Sequence, residues 1–371
     1  MKKHATLFVL KIMLSLVLSF YLASCSGKTN SGKTNSPDGS RDKSALLSLS
    51  LSQQAAFGQS YLKNPYFLFV APHGGLYVWD MGNSHPLLHF SSDGAFLNAL
   101  GSMGKGPGQF QILSKVIGVQ NHRLLVHDVV QKRISIFDEN SGKFLKTLNW
   151  QTAPKFALFP ILTRNSVIIR PNFSPYFAVS YPVSDNFKIN PKKPVILGDY
   201  HKFPELKPCQ ANGLAKQGPL CADAENNVFF GFRFSSLILG FSPVGKLIFE
   251  TGKPYDIPIP DEPGEGPGGV THSPSGPTVT IALSVDGKYV YRVYNSFRST
   301  ATTLQQMIND VPKESQGNIL NVYDKKSSQF KFSIQLPVQV RDLAVTRDYI
   351  YALSVDPKIA IIKYRKPKVL L

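Results

Sequence analysis

The side chains that could do chemistry in this sequence are few and widely spaced. Lys115, Arg164, Asp223, Arg341 and Asp342 lead into or lie along short apolar runs, and they are the candidates to line a central channel and bind a ligand there. Of these, Asp223 and Asp342 are the acids so placed. A metal-dependent hydrolase or lyase, holding Ca2+ or another divalent cation, would need three or four oxygen or nitrogen ligands converging on one point. Asp199, His201 and Glu205 form a second grouping, in a loop. His73, His85, His89, His122 and His127 occur singly, and Asp80, Asp128 and Asp138 each close an apolar run, where they read as turn acceptors. No G-x-S-x-G occurs and no Cys/His pairing is suggested. Positions 27–34 read G-K-T-N-S-G-K-T and satisfy the phosphate-loop pattern, but that loop works only between a buried strand and a helix. Here an apolar leader precedes it and a polar linker follows, so the match is accidental. On these grounds no catalytic residue, cofactor or metal is assigned.

Three cysteines remain to be placed. Lys2 and Lys3 open a basic segment, an apolar stretch follows, and Leu22-Ala23-Ser24 leads to Cys25. That order is a secretory leader, with an apolar part too short to favour a membrane span. Leu-Ala-Ser-Cys resembles the bacterial lipobox, which implies cleavage before Cys25 and its lipidation; several acyl chains on one residue anchor a protein stably. Cys209 and Cys221 are then the pair left in an oxidising compartment, and a structural disulfide is the expected use. The net charge of +17 falls to +14 once the leader is removed. The charge is scattered apart from Lys358, Lys363, Arg365, Lys366 and Lys368 near the end, where lysines guard a strand edge. Nucleic acid is not an expected partner of an exported lipoprotein.

The elements that must position these groups are strands. The stretch RLLVHDVVQKRISIFDENSGKFLKTL from Arg123 to Leu148 contains three short runs of β-branched, aliphatic and aromatic residues, bounded by Asp, Asn, Ser and Gly. The phrase recurs. Corresponding strands at Tyr77, Leu125, Val167, Val228, Tyr289 and Ile350 are separated by 48, 42, 61, 61 and 61 residues. Four-stranded units at this spacing predict an all-β fold, a six-bladed β-propeller of four-stranded antiparallel blades, with seven blades the alternative. The sixth repeat lacks a fourth strand at its end. The β-like run at 46–51 is expected to supply it and close the ring, so the domains are a signal peptide (1–24), a lipidated Cys and tether (25–45) and one propeller (46–371). The longer repeats hold insertions: Pro/Gly-rich loops at 185–218 and 255–275, and a short helix at 299–311. Tyr176, Phe177, Phe232 and Phe234 read as blade packing, with stacking on a sugar or an apolar side chain as the alternative.

One motif carries a family resemblance. Asp93-Gly94-Ala95-Phe96 leads into Gly101, Gly104, Gly106, Pro107, Gly108 and Phe110, and a shorter Gly-x-Gly-Pro-Gly recurs at Gly264. As a dinucleotide loop this is poor, because Pro107 and the glycine density oppose a following helix. The sequence D-G-x-F-x-x-x-x-G-x-x-G-x-G-P-G-x-F instead resembles the TolB-like six-bladed propeller lipoproteins of Bacteroidetes, with Gln109 where that family usually has Glu. The resemblance implies architecture and location: an outer-membrane lipoprotein, here lacking the acidic cluster after Cys25 that resembles a surface-export signal, and so facing the periplasm. The expected role is a non-enzymatic scaffold for an envelope protein, peptide or glycan, with a metal-dependent, lactonase-like hydrolase or lyase holding Ca2+ or another divalent cation in the central channel as the alternative.

Overall fold

The computed structural model describes residues 51–111, 114–149, 157–171, 174–203, 218–232, 237–251, 280–295 and 316–371. The leader, Cys25 with its tether, Cys209, the expected loop at 255–275 and the expected helix at 299–311 lie outside them.

The first strand, β1 (Ser52–Phe57), is set aside for the end of the ring. Blade 1 then runs β2 (Pro65–Val70), β3 (Leu76–Asp80), β4 (Leu87–Phe90) and β5 (Phe96–Leu100), hydrogen-bonded in chain order. A crossing with the short parallel pair β6 (Ser102–Met103) and β7 (Gln109–Phe110) leads to blade 2: β8 (Ser114–Gln120), β9 (Arg123–Asp128), β10 (Arg133–Asp138) and β11 (Phe144–Asn149). Blade 3 is β12 (Ala157–Leu162), β13 (Ser166–Pro171), β14 (Tyr176–Pro182) and β15 (Val195–Asp199). Blade 4 is β16 (Leu220–Ala222), β17 (Val228–Gly231), β18 (Ile238–Phe241) and β19 (Leu247–Glu250). All pairings within these four sheets are antiparallel.

A seven-stranded sheet holds the last two blades. Its strands are β20 (Thr280–Val285), β21 (Tyr289–Tyr294), β22 (Gly317–Asp324), the 16-residue β23 (Phe330–Val345), β24 (Tyr349–Asp356) and β25 (Ala360–Arg365). The first half of β23 is the outer strand of blade 5, pairing β22 from Phe330 to Gln335 with one further pair at Val340; the second half is the inner strand of blade 6, pairing β24 from Gln339. Pro337 falls in the break in register between Gln335 and Gln339, where the lack of an N–H is tolerated. The outer strand of blade 6 is β1, antiparallel to β25 from Ser52–Arg365 to Phe57–Ile361. The ring therefore closes through an N-terminal strand, as expected, here at Ser52–Phe57; positions 46–50 of the expected run lie outside the described residues. Inner strands touch in the order β2, β8, β12, β16, β20, β23 and back to β2, which makes six blades.

Packing explains why the strands read as continuous apolar runs. Successive side chains point to opposite faces, and in a propeller each face meets a different blade. Tyr77 and Trp79 join the core between blades 1 and 2, while Leu76 and Val78 join the core between blades 6 and 1. Ile136 and Ile169 mark the seam of blades 2 and 3, Phe177 and Phe230 that of 3 and 4, Phe229 and Leu283 that of 4 and 5, and Val322 and Ala352 that of 5 and 6.

The Gly-rich motif is such a crossing. Arg133 of blade 2 donates to the carbonyls of Lys105, Gly106 and Gln109, and Gln131 to those of Gly104 and Gln109. At Gly101, φ is +63° and an added Cβ would lie 2.3 Å from the Phe110 ring. The motif is used up in joining two blades.

Candidate functional site

Inner strands present their side chains to the central channel, and two of the sequence candidates meet there. Lys115 is the second residue of β8, and Asp342 lies in the inner half of β23. Both grip β2 of blade 1. The Lys115 ammonium sits 5.1 Å from the Phe67 ring centroid, and the Asp342 carboxylate accepts hydrogen bonds from the Leu68 N–H at 2.8 Å and the Leu343 N–H at 2.9 Å. Each is reached by water yet surrounded by protein, and desolvation penalises its charged form. Burial pulls the Lys115 ammonium down, against the attraction of Asp342 and with the repulsion of Arg170; burial pushes the Asp342 carboxyl up, against Lys115. Perturbed groups in a concave, partly dry setting are where ligand contacts concentrate.

Arg170 was not among the sequence candidates. It sits on β13, a second strand, and is 4% exposed. Its guanidinium donates to the Gly218 carbonyl and lies 5.7 Å from the Phe230 ring centroid. The signal for it was a cation ending the apolar run Val167-Ile168-Ile169. Cys221, expected in a disulfide, is a free thiol on β16, and Cys209 lies outside the described residues. Burial, and then the Asp223 charge, push that thiol up, so it is protonated and unreactive at neutral pH.

The remaining candidates are occupied elsewhere. Asp223 follows β16 and closes a turn: it accepts from the N–H groups of Glu225 and Asn227 and from the Asn227 side chain, and pairs with Lys325 of blade 5 at 3.1 Å. It joins blades 4 and 5, which corrects its reading as a residue free for a channel ligand. Arg164 is exposed in the β12–β13 turn, where its N–H donates to the Asn226 side chain and its carbonyl accepts from that of Gln120. Arg341 stacks 4.7 Å from the Tyr66 ring centroid and donates to the Pro65 carbonyl at 2.7 Å, fastening blade 6 to blade 1. Of the loop grouping, Asp199 accepts from the His201 N–H at 2.9 Å and Glu205 is outside the described residues. Asp80, Asp128 and Asp138 are turn acceptors, as their positions at strand ends implied. Phe177, Phe230 and Phe232 pack in the core between blades 3 and 4. A cleft at that seam, lined by Asn165, Ser180 and Asn226, has a volume of about 50 Å³, room for water and not for a metabolite.

Residues 68–162 match the family model described as DUF5128, 6-bladed beta-propeller. The human protein named NHL repeat-containing protein 3 is 34% identical over 88 residues, 23% of this chain and 25% of its own length; the match thus spans a quarter of that relative. Among solved structures, a protein described as exported from Bacteroides fragilis superposes with a TM-score of 0.52 at 13% identity, covering 86% of this chain and 94% of its own. A DUF4221 member from Bacteroides vulgatus gives 0.53 at 13% identity, covering 85% and 94%. At this identity the likeness is one of fold, and together with the family match it identifies the chain as a β-propeller with four-stranded antiparallel blades, six by the matched description.

Proposed function

We propose that this propeller is an exported, lipid-anchored binding scaffold, held at Cys25 on the periplasmic face of the outer membrane, which takes an envelope protein, peptide or glycan and does no chemistry on it. The observation that carries the reading is the state of the channel acids. Asp223 is committed to its turn and to Lys325, Asp342 gives one oxygen to each of two backbone N–H groups, and among the described residues no cluster of ligands forms around either, whereas a channel cation would require several converging on one point. What the channel does offer is the Lys115 ammonium over the Phe67 ring, with the buried Arg170 guanidinium close enough to act on it electrostatically. That combination suits a partner bearing a carboxylate beside an apolar or sugar face. The leader and Cys25, and the solved Bacteroides neighbour described as exported, support the location.

The test is in the native envelope. A photo-crosslinker at position 115 should give one discrete adduct, and Cys25→Ser should move the protein out of the membrane fraction. Turnover of a lactone or polysaccharide that disappears in Asp342→Asn would overturn the scaffold reading.

A further inference from the structure

At the turn-bearing end of blades 1 and 2, three side chains from three different turns converge. His73 is the third residue of the turn from Ala71 to Gly74, closed by the Gly74 N–H on the Ala71 carbonyl at 2.9 Å. His122 is the second residue of the two-residue turn between β8 and β9. Asn121 and His122 both take positive φ, at 51° and 54°, a geometry for which Asn-Gly is the favoured pair, so His stands where Gly would serve the turn better. The two turns occupy the same place in successive blades. The ring brings the imidazoles into a stack with centroids 4.8 Å apart and planes 20° apart. Glu139, in the β10–β11 turn, donates its N–H to the His122 carbonyl at 2.9 Å, tying the third turn to the second.

The Glu139 carboxylate decides the reading. Its side chain is 8% exposed and turned inward, Oε2 has no hydrogen-bond partner, and that oxygen lies 3.5 Å from Nδ1 of His122. One donor atom from each of His73, His122 and Glu139 falls within 4.8 Å of the others. A buried carboxylate oxygen without a donor is costly. Its charge also adds to burial in pushing the Tyr77 phenol up. A proton on His122 would answer the carboxylate but leave His73 stacked on a cation. A metal ion satisfies all three groups at once.

We propose that His73, His122 and Glu139 bind a divalent first-row transition metal, Zn2+ being the best match, as a clasp between blades 1 and 2. Two imidazoles and one carboxylate are a transition-metal donor set, whereas Ca2+ and Mg2+ favour oxygen throughout. Tetrahedral Zn2+ at its usual bond lengths needs donors about 3.3 Å apart. The His122–Glu139 spacing is already close to this, and the exposed His73 closes the rest by side-chain rotation. A fourth position faces solvent, open to water or to a donor from a partner. The site is distinct from the channel and does not depend on the scaffold reading.

The test is calorimetric titration of the untagged, full-length purified chain with ZnCl2, with a chromophoric chelator as competitor. One Zn2+ per chain is expected, with a rise in melting temperature. His73→Ala, His122→Ala and Glu139→Gln should each weaken binding about tenfold or more, and His85→Ala should leave it unchanged. Both mutated imidazoles are exposed, so metal-free melts of the alanine variants report whether the fold is intact. Absence of saturable binding, or equal binding by the two His variants and the parent, would overturn the site and leave a His122–Glu139 ion pair.

Discussion

Lowering the pH from 7 to 5 tests the burial of His127. This residue lies on β9, opposite Lys115 of β8 and Ile134 of β10, and is 3% exposed. The charged group across the ladder is thus a cation. Burial holds the imidazole down to about 3, from an ordinary value near 6.5. Above pH 6.5 the ring is neutral in both folded and unfolded chains and has no effect on stability. Below it the unfolded chain takes up a proton that the folded chain refuses, and stability falls by about 1.4 kcal/mol per pH unit until the folded ring titrates as well. Between pH 7 and 5 the loss is about 2 kcal/mol. Because pH 5 lies well above the folded value, this loss is set almost wholly by the unfolded imidazole. Urea unfolding of the parent and of His127→Gln at both pH values is the assay. Burial also lowers His89, but that residue contributes equally to both proteins and drops out of the difference. The parent should lose about 2 kcal/mol more than the variant. An equal loss would refute the reasoning, since it would mean that the folded ring accepts its proton as readily as the unfolded one.

Two further outcomes follow from the ring. Deleting residues 51–57 uncovers the edge of β25 and removes Phe57 from beside Phe90, 6.1 Å away between centroids, and should lower the melting temperature by about 5 °C or more; an unchanged melt would rule out closure by β1. Lys366, its side chain 1% exposed, is ion-paired with Asp286, which also accepts from Tyr291 at 2.7 Å. Lys366→Met leaves that carboxylate without its cation and should cost about 3 kcal/mol by chemical denaturation, partly recovered in the double variant with Asp286→Asn; a loss below about 0.5 kcal/mol would refute the pairing.

Strands that bury both faces declare themselves in sequence, and Leu76 to Asp80 or Ile134 to Phe137 needed no more than their apolar runs. The closing strand did not, because SQQAAF is an outer strand with one largely exposed face and a weak alternation. The more apolar 46–51 drew the assignment instead. The long β23 was legible only as two separate ends, since Pro337 breaks the strand signal at the point where the chain changes blades. In blade 3, β15 lies beyond an irregular loop and was not identified. Strand position alone put Lys115 and Asp342 on inner strands, where they lie, whereas the turn that holds Asp223 was not legible because a turn acceptor and a ligand look alike in sequence. The His73, His122 and Glu139 trio was invisible as a local motif. Its trace was periodic: the two histidines are separated by nearly one repeat, so the same turn in adjacent blades carries them both.

The strand that closes the ring also has mechanical meaning. A load entering through the N-terminal segment arrives at Ser52, whose partner Arg365 is the last residue of β25. Peeled from that end, the pairs open in series, Ser52–Arg365 first and Phe57–Ile361 last, and each resists alone. Drawn along the strand axis, the same pairs share the load and must yield together. The direction of pull, more than the number of bonds in the seam, therefore sets how much tension the closed ring withstands.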